Sequence, residues 1–489
     1  SVPNDRFTTF DGFESGVSTE KIWDGTEPVN TAGDVSLPAH DGAAKSFPAT
    51  IGDTKFTISV FDDPSDPVRG FDSVLIRQPD GKNGISAVLK PRPAADDTRG
   101  FSPRFPVTRV FPGQGELFGY AYFRLFALDP VTGSMTLFQR AVNGIRGTAS
   151  LAERHAYLDA YGGFHSMPFD PYKAGALGKT LWQGGDGEAE RRLVEIARLD
   201  TEFLARGSRF ALKRYNPDLV FHYTPTIDGA GHTWMGLLDP DSPRYDPQVA
   251  AKLMPFYEQM YKLQDDWLGD IIDAAGPKAA VCLVSDHGMA GVGKTFSPNA
   301  VLESAGLLAR TADGKGIDLA RTKICAPTWG DYFVAVNGTD WKGGVVTFAE
   351  RETVLRQATD ALLAARDPQT GQPIVTRVFR PSEIVGLGIG GTAGGDLYLD
   401  VAPGYVPRTG LQAGVVTSDT STLGSGVHGF FPLRTKMQAI FFLGGAGVAK
   451  GRQIAGVRQI DVAPTLSRLL GIPAPASATG HIVGEALEP

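Results

Sequence analysis

The run Ala279-Ala-Val-Cys-Leu-Val284, followed at once by Ser285-Asp286-His287-Gly288-Met289, constrains this chain more than any other stretch. An unbroken apolar run of this length suits a strand buried on both faces of a parallel sheet. An oxygen donor and a nitrogen donor then stand together at the carboxyl end of a central strand, where open α/β sheets place their chemistry. Gly288 permits the tight exit that two adjacent ligands need. An Asp-His pair alone is weak evidence for a metal, so the rest of the chain must supply partners.

Two further sites do so. Asp228 and His232 are separated by Gly-Ala-Gly and follow the apolar run Asp218-Leu-Val-Phe-His-Tyr223, which reads as a strand ending in a loop from Thr224 to His232. His428 stands in Ser425-Gly-Val-His-Gly429, shortly before a strand read over Met437 to Phe442. All five candidates border strands, so a sheet can gather them at one edge. Carboxylate and imidazole donors of this kind suit zinc, and with less preference manganese or iron. Two such ions about 3.5–4 Å apart stabilise both the attacking and the leaving oxygen at phosphorus.

The surroundings are those of an α/β protein. Amphipathic helices are expected over Glu188 to Tyr215, Pro255 to Ala275, Phe348 to Ala365 and Ile460 to Leu470. Ser297-Pro298 caps and opens a short helix. Strands are expected over 332–336, 374–379 and 397–401. The alternation of helix and strand from Gly185 onward implies a parallel sheet. Before it the pattern differs. Phe56 to Phe61, Ser73 to Ile76 and Ile85 to Leu89 are strand-like, and Asp129-Pro-Val-Thr-Gly133 is a hairpin turn. The expected organisation is therefore an irregular lead-in over 1–35, a β-rich insertion over 36–147 without chemistry of its own, and an α/β core over 148–489.

Bulk properties exclude other classes. A net charge of −7 over 489 residues offers no basic face for nucleic acid. No apolar run approaches the roughly 18 residues of a membrane span. Cys282 and Cys325 lie in apolar runs and read as buried thiols, with a single disulfide as the alternative. His40, His155 and His165 have no ligand-like spacing, and His222 reads as a packed histidine. Lys294, Tyr223 and Trp329 are pocket-lining candidates more often structural than functional.

Taken in order, Asp-x-x-x-His, then Ser-Asp-His-Gly-Met, then a late Gly-x-His-Gly resembles the alkaline phosphatase superfamily, and most closely its nucleotide pyrophosphatase/phosphodiesterase branch. Asn216-Pro-Asp-Leu-Val220 and Arg458-Gln-Ile-Asp-Val-Ala-Pro-Thr-Leu466 resemble that branch too. Cys325-Ala-Pro327-Thr-Trp329 is only faintly similar to the sulfatase motif, since it lacks the arginine and lies downstream of the metal motifs. The resemblance implies an alkaline-phosphatase-like, mostly parallel sheet between helix layers. It also implies hydrolysis of phosphate esters, phosphodiesters ahead of monoesters, with two divalent ions, zinc foremost. Asp228, His232 and His428 would hold one ion; Asp286 and His287, with an Asp from the sheet's first strand, would hold the other. A Thr or Ser nucleophile would form a phospho-enzyme, which water cleaves.

That first strand and nucleophile should precede every motif above. Asp11-Gly12 and Ser46-Phe-Pro48 imitate them, but Val2 to Phe10 is too polar for a central strand. The expectation is that both lie upstream of Ser1, removed or cleaved into a fragment that stays docked, with Ser46 and Ser1 as lesser candidates. A secreted or periplasmic location goes with such processing. The alternatives are a phosphomonoesterase on the same site, or a protein that binds metal and phosphate without turnover.

Overall fold

The computed structural model describes residues 16–18, 21–23, 37, 39–78, 84–111, 115–163, 168–327, 332–389, 394–411, 414–418 and 426–489. The chain divides into two compact units, Ser1–Gly229 with Ala251–Ala279, and Ala230–Ala250 with Ala280–Pro489. Ser1, Asp11-Gly12, His165, Trp329 and the 419–425 part of the expected loop lie outside the described residues.

The first unit begins with β-structure. Asp41–Ile51, Thr54–Asp62, Ser73–Arg77 and Ser86–Leu89 form a four-stranded sheet in chain order, every pair antiparallel. Alternation puts Phe47, Ala49, Ile51, Phe56, Ile58 and Val60 inside. The hairpin expected at Asp129–Gly133 joins Phe123–Leu128 to Met135–Gln139, with Met135 opposite Leu128. Phe56, Phe105 and Phe123 meet edge to face with centroids 5.6–5.9 Å apart and close the core.

The helix Glu188–Tyr215 of this unit runs over the expected residues. It buries three carboxylates, each with a partner. Glu190 accepts from the Tyr172 hydroxyl at 2.6 Å, Glu195 from Arg124 Nε at 2.6 Å, and Asp200 from Arg140 Nε at 2.5 Å. Arg124 and Arg140 come from the β-structure, so two fully desolvated ion pairs fasten it to the helix. The helix Leu151–Tyr161, with its Ser150/Glu153 capping box, was not expected from the sequence. The helix expected from Pro255 begins earlier, at Pro247, where Asp246 accepts from the amides of Gln248 and Val249. Pro255 lies inside it.

In the second unit, Ile324–Cys325, Phe333–Val336, Leu397–Val401 and Val375–Phe379 form an antiparallel sheet. The helices Pro298–Ser304 and Phe348–Ala364 pack on it over Leu302, Ile324, Val334, Leu362, Ile374 and Leu397. Ala290–Phe296, a strand absent from the sequence reading, pairs with Gly404–Pro407, Val416–Ser418 and Gly426–Val427. Both cysteines are free.

The α/β class is as expected, but strand direction is not. Among the described strand pairs, the parallel one joins Ala290–Phe296 to Gly404–Pro407, and the others are antiparallel. Ala280–Val284 pairs antiparallel with Phe441–Gly445 and is half-open, with Val284 45% and Phe442 63% exposed. The segment 218–223 forms no strand; Phe221 is 79% and Tyr223 62% exposed. A strand exists only through its ladder. Alternating helices and apolar runs indicate crossover connections, but the partner a run meets sets its direction.

Candidate metal centre

The largest local correction falls on the site itself. Thr226–Leu238 is a helix and not a loop, so Asp228 and His232 stand one turn apart on one helical face. Gly229, Gly231 and Gly236 each weaken such a helix by about 1 kcal/mol relative to Ala. Burial of Ala230, Trp234, Leu237 and Leu238 at helical spacing outweighs that cost. Asp228, His232 and Met235 keep a half-buried stripe at i, i+4 and i+7.

The loop bearing His428 reaches this stripe because glycines let it. A Cβ on Gly426 would lie 2.3 Å from the Gly231 carbonyl oxygen and 2.8 Å from Met235 Cβ. Without one, the Gly426 carbonyl accepts from His232 Nδ1 at 2.7 Å. A carbonyl only accepts, so Nδ1 donates to it and Nε2 is the ring nitrogen turned to His428. His428 Nε2 lies 3.2 Å from that nitrogen. Ligand atoms of Asp228, His232 and His428 all fall within 4.8 Å of one another.

His287 joins from the other side. Its ring lies flat on that of His428, with centroids 3.5 Å apart and planes 7° from parallel. Its Nδ1 donates to the Gly288 carbonyl at 2.9 Å, and its Nε2 lies 3.4 Å from Asp286 Oδ1. Asp286 itself is 75% exposed in its side chain. Gly288 is obligatory here, since a Cβ would lie 2.0 Å from the Lys436 carbonyl oxygen.

The donor chemistry fits a divalent cation. Two imidazoles on one tetrahedral ion, each about 2.0–2.1 Å from it, have their nitrogens about 3.3 Å apart. The His232–His428 separation of 3.2 Å matches that spacing. His232 is turned by its bond to the Gly426 carbonyl so that Nε2 faces His428, as metal-bound histidines are held.

The remaining candidates have other neighbours. Ser46 is mid-strand in the first unit, its Oγ 2.7 Å from Ser59 Oγ. His222 Nδ1 lies 2.7 Å from Ser208 Oγ, with its ring against Trp267. His155 packs against Phe118. Lys294 is tied to Asp367 at 2.5 Å, a structural pair. Sequence reasoning gave no role to the Gly426 carbonyl or to Gln459, whose amide donates to the Ser285 and Asp286 carbonyls. A backbone acceptor leaves no sequence signal; Gln459 lay within the motif at 458–466.

These observations define an α/β protein with a carboxylate–imidazole cluster suited to divalent cations. The sequence model of the type I phosphodiesterase / nucleotide pyrophosphatase family matches residues 155–430, more than half of the chain and a span that includes all five expected ligands. The chain belongs to that family. No curated protein matches it significantly. Among solved structures, wild-type alkaline phosphatase PafA is similar at 15% identity and a TM-score of 0.36, over 62% of this chain and 56% of that one. Murine ectonucleotide pyrophosphatase / phosphodiesterase 5 is similar at 16% and 0.36, over 58% and 63%. Its human counterpart is similar at 16% and 0.34, over 59% and 63%. The chain thus spans less than two thirds of the length of each.

Proposed function

We propose that this chain is a metal-dependent phosphodiesterase that hydrolyses small phosphate esters. Asp228, His232 and His428 would hold one divalent ion, and Asp286 with His287 a second, zinc being the best match to nitrogen and carboxylate donors. When bound, the ions polarise the phosphoryl oxygens and offset charge on the attacking and leaving oxygens. The observation that carries this reading is the pair of Nε2 atoms of His232 and His428, 3.2 Å apart beside Asp228.

The chain's own residues do the positioning. The Gly426 carbonyl fixes the His232 tautomer, the Gly288 carbonyl fixes that of His287, and the helix face fixes the Asp228–His232 spacing. Lys436 bonds Asp239 and Asp241, and Asp239 accepts from the Gly291 amide at 2.8 Å, tying the end of the helix to the strand that follows His287. A Ser or Thr hydroxyl would act as nucleophile through a phospho-enzyme, consistent with the family. The β-rich residues 36–147 take no part in the chemistry in this reading, and the protein acts outside the cytoplasm.

A nitrophenyl phosphodiester assay of the purified protein, stripped of metal and then given zinc, tests the reading. Turnover restored by zinc and lost in His428→Ala supports it. Equal turnover in the stripped protein, or in His428→Ala, contradicts it.

A further inference from the structure

Two adjacent residues of one chain can both serve an ion only if the peptides between them are held, because each extra backbone freedom spreads the ligand positions. The turn after Ala280–Val284 is anchored at both ends. Ser285 N donates to the Ile440 carbonyl at 3.3 Å, and Ile440 N donates back to Ser285 Oγ at 3.0 Å. Gly288 N donates to the Met437 carbonyl at 3.1 Å. Between these anchors lie the 285–286 and 286–287 peptides, which carry Asp286 and His287.

A single side chain reaches both. Gln459 Nε2 donates to the Ser285 carbonyl at 3.2 Å and to the Asp286 carbonyl. A primary amide has two N–H groups, so one is available for each. Gln459 is itself held. It opens the turn Gln459–Asp461, in which Asp461 accepts from the Arg458 amide at 3.0 Å and from the His481 amide at 2.8 Å. Gly480 allows this approach, since a Cβ there would lie 2.0 Å from the Ile460 carbonyl oxygen. The chain near residue 481 thus fixes Asp461, Asp461 fixes the turn, and the turn presents the Gln459 amide to the ligand peptides.

We infer that Gln459 is a positioning residue for the ion assigned to Asp286 and His287, acting through their backbone without touching the ion. This rests on the assignment made under Proposed function. Residues of this kind change metal affinity by about 10–100-fold when removed.

Zinc titration by calorimetry tests it, with Gln459→Ala, the isosteric Gln459→Glu, Gln459→Lys, and His287→Ala and His428→Ala as references for the two sites. Gln459→Glu keeps the shape and removes both donors; Gln459→Lys restores a donor. The expected result is a loss of about 10–100-fold at the site that His287→Ala abolishes, in the Ala and Glu variants. The site that His428→Ala abolishes, and the melting temperature of the metal-free protein, should stay as in the wild type, and Lys should recover part of the loss. Unchanged zinc affinity in both variants, while His287→Ala loses an ion, overturns the role of Gln459 alone. Equal losses at both sites with a lower metal-free melting temperature also overturn it, as a general structural effect. Retention of both ions by His287→Ala overturns the underlying assignment as well.

Discussion

The Nε2 atoms of His232 and His428 face each other at 3.2 Å, and His232 has its other nitrogen committed to the Gly426 carbonyl. A ring nitrogen that binds a cation cannot also carry a proton. Protons and zinc therefore compete for the site, and acidification should release zinc. Substituting either histidine by Ala should remove one ion, with turnover falling by orders of magnitude. Zinc content after dialysis across a pH series, in wild type and both variants, checks this.

Gly426→Ala should act on the same ion without touching it. The new methyl group would meet the Gly231 carbonyl at 2.3 Å and push the loop from the helix. With the His232 acceptor displaced, zinc affinity should fall by about 10–100-fold. Gly410→Ala, where a Cβ meets nothing within 4 Å, is the matched control. Calorimetric titration of both proteins measures the difference.

Which residues meet was more legible in the sequence than what carries them. Residue types and order pointed to Asp228, His232 and His428, because donor chemistry does not depend on what carries it. The support was misread. Gly229 and Gly231 count against a helix locally, and the burial of Trp234 and Leu238 that overrides them is a tertiary fact. The apolar segment 218–223 has the composition of a strand, but pairing, not composition, makes one. The hairpin at Asp129–Gly133 was readable since its turn and register are set within a few residues. Ala290–Phe296 was missed because Gly291, Gly293 and Lys294 break its apolar pattern.

Asp367 should give the second unit an acid-sensitive stability. Burial alone would raise its pKa, but hydrogen bonds from Lys294 and Tyr405 bring it from 3.8 down to about 2. A carboxyl lowered on folding adds stability above its ordinary value, and that stability is lost as pH falls from about 4 to about 2. Asp367→Asn should be less stable than wild type near neutrality and should lose less between about pH 4 and pH 2. Urea unfolding across that range gives the two slopes.

Asp200→Ala should destabilise the first unit by about 3–5 kcal/mol, because it leaves the Arg140 guanidinium buried without its partner. Both side chains are 0% exposed. Replacing both, as Arg140→Met with Asp200→Leu, should restore much of that loss. Chemical denaturation of the single and double variants checks the sign of the difference.

The most direct measurement is anomalous diffraction at the zinc edge from crystals of the zinc-loaded protein. The account predicts one peak bonded to Asp228, His232 and His428, and another beside Asp286 and His287. Zinc found only elsewhere, or no peak touching His232 and His428, would contradict it.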